Sequence, residues 1–116
     1  MQAAFTLEQL LVDRENAKKS YLEFLRMPDL STGLYVLEVG ATDPQQPHTE
    51  DEVYIVMKGQ GKIRVADEVH PVTAGSVVYV QANVEHRFFE IEERLEVLVF
   101  FAPAEYANRK VESKGK

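Results

Sequence analysis

From Ser20 onward the chain is cut into short runs rich in β-branched and aromatic residues, each closed by glycine, proline or paired acids. The runs are Tyr21 to Arg26, Leu34 to Val39, Val53 to Met57, Ile63 to Ala66, Val69 to Thr73, Val77 to Val80, His86 to Ile91 and Leu95 to Phe101. Pro28-Asp29, Lys58-Gly59-Gln60-Gly61, Asp67-Glu68, Ala74-Gly75 and Glu92-Glu93 read as the turns between them, and Pro103 ends the series. Short strands at short intervals, punctuated in this way, pack as an all-β barrel or sandwich. Ahead of them, Thr6-Leu7-Glu8-Gln9 has the form of a capping box, and Leu7, Leu10 and Leu11 follow at helical spacing. This predicts a short helix from Leu7 to Glu15. The end of the chain, Asn108 to Lys116, carries Arg109, Lys110, Lys114 and Lys116 with little apolar content and reads as solvated. The expected division is a helical extension over 1–19, a barrel over 20–104 and a flexible tail over 105–116.

At 116 residues the chain suits one domain and one core. Its net charge of −6 argues against a nucleic-acid partner, because a duplex binder needs a basic face for the phosphates. With no cysteine there is no disulfide, thiolate nucleophile or thiolate zinc site, which fits a reducing compartment. No apolar run approaches the roughly 20 residues of a membrane helix, so no membrane partner is expected. Met1 to Phe5 lacks the charged and apolar regions of a secretory signal. The expected location is the cytoplasm.

Chemistry concentrates in Gly40 to Glu52 and around His86. Gln46 and His48 are two apart, and on an extended strand such residues share a face. Glu52 opens the next strand beyond the polar Thr49-Glu50-Asp51, so the three side chains can converge from neighbouring strands. Glu50 and Asp51 themselves read as solvated loop acids. His86 begins an apolar strand, where pattern alone gives no reason for an imidazole. Two imidazoles and one carboxylate form a set suited to non-haem Fe(II) with open positions, and a glutamine oxygen adds a weaker neutral donor. The expected metal ligands are therefore His48, Glu52 and His86, with Gln46 either a weaker fourth ligand through its oxygen or a hydrogen-bond partner of a substrate or metal-bound water. Tyr54 shares the parity of Glu52, Phe88 that of His86, and Phe101 that of Leu95, Val97 and Val99. These three aromatics are the expected pocket lining. His70, before Pro71 and just past the Asp67-Glu68 turn, reads as an exposed hairpin residue.

These residues resemble the cupin family, in its small single-barrel form. The family's first motif places a glycine, a His-any-His pair, a glutamate and a second glycine at fixed intervals. Gly40, Gln46-Pro47-His48, Glu52 and Gly59 keep every interval, with Gln46 standing where the first histidine belongs. Of the second motif Gly75 and His86 are kept, while Gln81, Asn83 and Glu90 depart from it. The resemblance covers about Leu34 to Phe101. It implies a jelly-roll barrel of two antiparallel sheets with a short N-terminal helix, and one divalent metal ion (Fe, Mn, Ni, Co or Zn). It also implies a small-molecule ligand, and a homodimer formed through exposed sheet edges. The apolar Tyr21, Leu22 and Phe24 on the first strand suggest where a second copy would add.

The leading expectation for function is dioxygenase or oxidoreductase chemistry at the metal. The alternatives are a metal-dependent isomerase of a sugar or other enolisable substrate, and a non-catalytic binding or sensor module. One carboxylate against a divalent cation leaves about one positive charge to attract an anionic substrate.

Overall fold

A computed structural model describes residues 2–108. Helix α1, Leu7–Ala17, begins where expected: Thr6 is the N-cap, and its hydroxyl accepts the Gln9 N–H at 3.2 Å. The reciprocal half of the box is not made, because the Gln9 amide donates to Asp13 instead (2.9 Å). The helix ends at Lys18, which takes the left-handed conformation and returns its N–H to the Glu15 carbonyl. Leu10 is its one fully buried residue. With Phe5, Leu7 and Leu11 it covers Leu34, Val36, Phe24 and Leu98 on the outside of the sheet.

Six strands follow: β1 Tyr21–Met27, β2 Leu30–Leu37, β3 Asp51–Val65, β4 Glu68–Thr73, β5 Val77–Val80 and β6 His86–Ala102. The order is β1-β2-β6-β3-β4, all antiparallel, with β5 joined to β3. Two expected turns are missing. Lys58–Gly61 lies inside β3 and Glu92-Glu93 inside β6, and these long strands pair from Asp51↔Ala102 to Val65↔His86. The signals read as turns mark bulges instead. From Lys58↔Glu96 through Gln60↔Glu93 to Lys62↔Phe89, each two-residue step on β3 meets a longer step on β6, so the surplus residues bend the ribbon. Gly59 is needed at that bend: its φ is +105°, and a Cβ there would overlap the Arg94 carbonyl.

The bend also switches which side chains face inward. β3 buries Glu52, Tyr54 and Val56 before it and Gly61 and Ile63 after it. β6 buries His86 and Phe88 first, then Ile91, Leu95, Val97, Val99 and Phe101. Glu90, at φ 47°, lies where the second switch occurs. The first half of β3 lies between β5 and the end of β6, with β2 and β1 beyond. Its second half lies between β4 and the start of β6. The chain is therefore a jelly roll of two antiparallel layers around one core that includes Tyr35, Tyr54, Ile63, Phe88, Leu95 and Phe101.

Two expectations change here. Part of the apolar surface expected to recruit a second copy is covered within the chain: Leu22 and Phe24 lie half-buried, and Phe24 packs against Phe5 with ring centroids 4.8 Å apart. Tyr21, paired with Tyr35, joins the inner cluster. Nor do residues 105–108 behave as a flexible tail. Ala104 N–H bonds the Pro28 carbonyl (3.2 Å), and Glu105 N–H bonds the Ser31 hydroxyl (2.8 Å). Tyr106 and Asn108 donate their N–H groups to Glu50 at 2.7 and 2.9 Å. The basic residues of the tail, from Arg109 on, lie outside the described residues. No described helix is long and apolar enough to cross a membrane.

Candidate metal centre

Glu52 enters from the start of β3, paired with Phe101 on β6 and Val80 on β5. His86 opens β6 at the far end of the same ribbon, opposite Val65, and the bend brings the two together. His48 arrives from the loop before β3. One donor atom from each of His48, Glu52 and His86 lies within 4.8 Å of the others, and all three residues are buried.

The hydrogen bonds decide which atoms face inward. His86 Nδ1 is 2.9 Å from the Val84 carbonyl, which can only accept, so the proton sits on Nδ1. The lone pair of Nε2 then faces Glu52 Oε1 at 3.2 Å and Gln45 Oε1 at 3.3 Å. His48 Nε2 lies 3.1 Å from the Glu105 carboxylate, leaving Nδ1 directed at Glu52 Oε1, 3.7 Å away. Among the described residues, His48 Nδ1 and both Glu52 oxygens are buried without a hydrogen-bond partner. An uncompensated buried carboxylate costs several kcal/mol. With His86 neutral, only electron pairs converge here, and a cation is what they lack. Burial would push the His86 pKa down, but the facing Glu52 outweighs it and holds the imidazolium above its ordinary range. A proton on His86 answers only one of these groups, whereas a divalent ion answers all of them. The residues present fit a metal.

Gln46 does not join them. It is exposed at the mouth of the cavity, and Gln45 reaches the centre instead. The reason is local: residues 41–48 form no strand, so the two-residue alternation used to place Gln46 does not apply. Gln45 is oriented by its own bonds. Its amide nitrogen donates to Asp43 Oδ2 (3.1 Å) and the Tyr54 hydroxyl (2.7 Å), which turns its oxygen toward His86. Asp43, fully buried, also accepts the Tyr35 hydroxyl at 2.6 Å and the Phe88 N–H at 2.9 Å. Burial and nearby acids keep the phenols of Tyr35 and Tyr54 protonated, well above their ordinary pKa.

Of the expected lining aromatics, Tyr54 and Phe101 face a cavity of about 290 Å³. Phe88 does not: its ring packs edge-on against Tyr54 (4.9 Å), and it belongs to the core. Tyr21, Tyr35, Glu105 and Tyr106 complete the wall. The Asp43–Gln45 brace and Glu105 were not singled out by spacing. Asp43 and Gln45 sit inside the first motif segment, where an acid before Pro44 was the available signal. Glu105 carried none. Glu50, expected in solvent, is buried; burial alone would raise its pKa, but the Thr49 hydroxyl and the Asn108 and Tyr106 N–H groups outweigh it and hold it low. His70 is exposed beside Glu68, as its sequence position suggested.

The family model described as a cupin domain matches residues 33–101. The chain belongs to the cupins. A relative, the uncharacterized protein SCO3923 of Streptomyces coelicolor, is 49% identical over 102 residues, covering 88% of this chain and 97% of that one. Solved structures share the fold. The RmlC-like cupin of double-stranded β-helix fold from Methanocaldococcus jannaschii is 25% identical at a TM-score of 0.66, over 72% of this chain and 78% of its own. The protein TT1209 from Thermus thermophilus is 24% identical at 0.72, over 89% and 99%. In this cupin, motif spacing identified the buried His48–Glu52–His86 group. The amide beside it comes from the residue next to the motif position.

Proposed function

We propose that this cupin holds one divalent metal ion through His48 Nδ1, Glu52 and His86 Nε2, with the Gln45 oxygen as a fourth donor, and acts on a small molecule in the adjoining cavity. The observation that carries this reading is the convergence of buried, unpartnered electron pairs at the floor of an aromatic-walled cavity. Oxidoreductase chemistry of dioxygenase type is the leading form, since two imidazoles and one carboxylate leave positions open for substrate and oxygen. When bound, a redox-capable ion would supply electron transfer to oxygen, and zinc only Lewis acidity. The protein's own part is positional. Asp43 and Tyr54 fix the Gln45 amide, while Phe101 and Tyr106 flank the His48 ring at 4.7 and 5.6 Å and shield it from water.

Glu105 alters the charge expected of the site. With two carboxylates beside a divalent ion the net charge is near zero, so the cavity favours a neutral or weakly acidic planar ligand over a strongly anionic one. A cytoplasmic homodimer remains part of the reading. Its contact would lie at the edge of β5 that is unpaired among the described residues, where Val77 and Tyr79 are exposed, rather than on β1. One observation favours a sensor role: 50 residues of the chain are 32% identical to part of the HTH-type transcriptional activator RhaR of Mannheimia succiniciproducens, though the match spans 18% of that protein.

The test is oxygen consumption by Fe(II)- and zinc-loaded protein, side by side, against phenolics, diketones and thiols. Turnover with iron alone, with oxygen consumed, supports the oxygenase. Equal turnover by both forms without oxygen use contradicts it and favours the isomerase, and ligand binding without turnover favours the sensor.

A further inference from the structure

Resting on the metal reading, we propose that Glu105 is the positioning residue of the centre: its carboxylate holds the Nε2–H of His48 and thereby makes Nδ1 the metal-facing atom. The His48 ring plane is set by its neighbours, Phe101 at 4.7 Å on one contact and Tyr106, nearly parallel at 27° and 5.6 Å, on another. These apolar contacts fix the ring without choosing between its nitrogens. Glu105 Oε2, 3.1 Å from Nε2, makes the choice, because an ionised carboxylate only accepts. The proton is drawn to Nε2, and the lone pair is left on Nδ1, on the Glu52 side. The contact is largely desolvated, with the His48 side chain 9% and the Glu105 side chain 14% exposed, so the preference is stronger than it would be in water.

Glu105 is placed by its main chain. Its N–H bonds Ser31 at 2.8 Å, and its carbonyl accepts from Arg26 Nη2 at 2.7 Å. Both anchors survive a change of side chain. The carboxylate stands outside the group of donor atoms that meet within 4.8 Å. It therefore acts through His48, as carboxylates behind metal-bound imidazoles do, where their loss costs about 10- to 100-fold in affinity.

The experiment uses ¹⁵N-labelled full-length protein, metal-free and zinc-loaded, read by long-range ¹H–¹⁵N correlation at a pH where the spectrum itself shows a neutral His48 ring. In the metal-free wild type His48 is expected as a single tautomer, protonated at Nε2, and zinc is expected to shift Nδ1. Glu105→Ala should mix the tautomers and weaken zinc binding about 10-fold or more. Glu105→Gln, whose amide oxygen still accepts from Nε2, should restore the single tautomer and most of the affinity. A loss in Glu105→Gln as large as in Glu105→Ala would make Glu105 a direct ligand and overturn the proposal. So would a zinc-induced shift of Nε2 in the wild type, or a zinc affinity of Glu105→Ala within about twofold of wild type. Failure of wild-type protein to bind zinc or any other divalent ion would overturn the metal reading. A proton on His48 Nδ1 in the metal-free wild type would overturn the role of Glu105 alone.

Discussion

Gln45 and Gln46 are adjacent and chemically identical, yet only Gln45 reaches the centre. Gln45→Ala should weaken divalent-metal binding about 10-fold or more, while Gln46→Ala should leave it within about twofold, as measured by calorimetric titration of the metal-free protein. A reversed ranking would return the donor role to Gln46. Phe88→Ala should cost about 3–5 kcal/mol of stability in urea denaturation, because the ring fills the core, yet leave metal stoichiometry unchanged. Glu52 and His86 were legible because each opens a β-rich run, and His48 because it keeps the interval of the family motif although its loop forms no strand. Gln45 was not, since alternation holds only on a strand and this loop is none. Glu105 could not be read at all. Its place depends on Ser31 and Arg26, which are remote in the chain and become its neighbours only after folding.

At the scale of elements, the all-β character and the helix start were readable, whereas the strand count was not: eight expected runs are six strands, because the two longest are continuous. Glycine and paired acids end strands in a hairpin, and they also mark bulges; Gly59 and Glu92-Glu93 belong to the second case. The bend they create decides parity in both halves of β3 and β6, and therefore which side chains reach the centre. Gly59→Ala should destabilise the barrel by more than the 1 kcal/mol or so of an ordinary turn substitution, because both φ and the Arg94 carbonyl oppose a Cβ. A chemical-denaturation midpoint equal to wild type would show that the bend tolerates it. The segment after β6 is tied down by Glu50, whose carboxylate accepts the Tyr106 and Asn108 N–H groups. Hydrogen bonds to a charged group contribute about 1.5–3 kcal/mol. Glu50→Ala should therefore loosen this segment, seen as faster proteolysis after residue 104 while the barrel stays intact. Unchanged cleavage would contradict that tie.

For the whole molecule, two antiparallel layers bent around one core bring residues from both ends of a long ribbon, and one from beyond it, to a single buried point. Such a point holds a carboxylate and one imidazole nitrogen, His48 Nδ1, that have no hydrogen-bond partner among the described residues. Binding energy for an ion there adds to folding energy, so metal should raise the melting temperature and a chelator should lower it. The proposed self-association at the β5 edge, where Val77 and Tyr79 are exposed, is read by light scattering of Tyr79→Glu beside wild type. A wild-type dimer that the variant loses supports the edge, and a dimer that persists in the variant excludes it. The central claim is tested most directly by elemental analysis of wild-type protein and of His86→Ala and Glu52→Gln, all purified without added metal and checked for folding by circular dichroism. About one divalent ion per chain is expected in the wild type, and below about a tenth of that in either folded variant. Wild-type occupancy in folded His86→Ala would contradict the assignment.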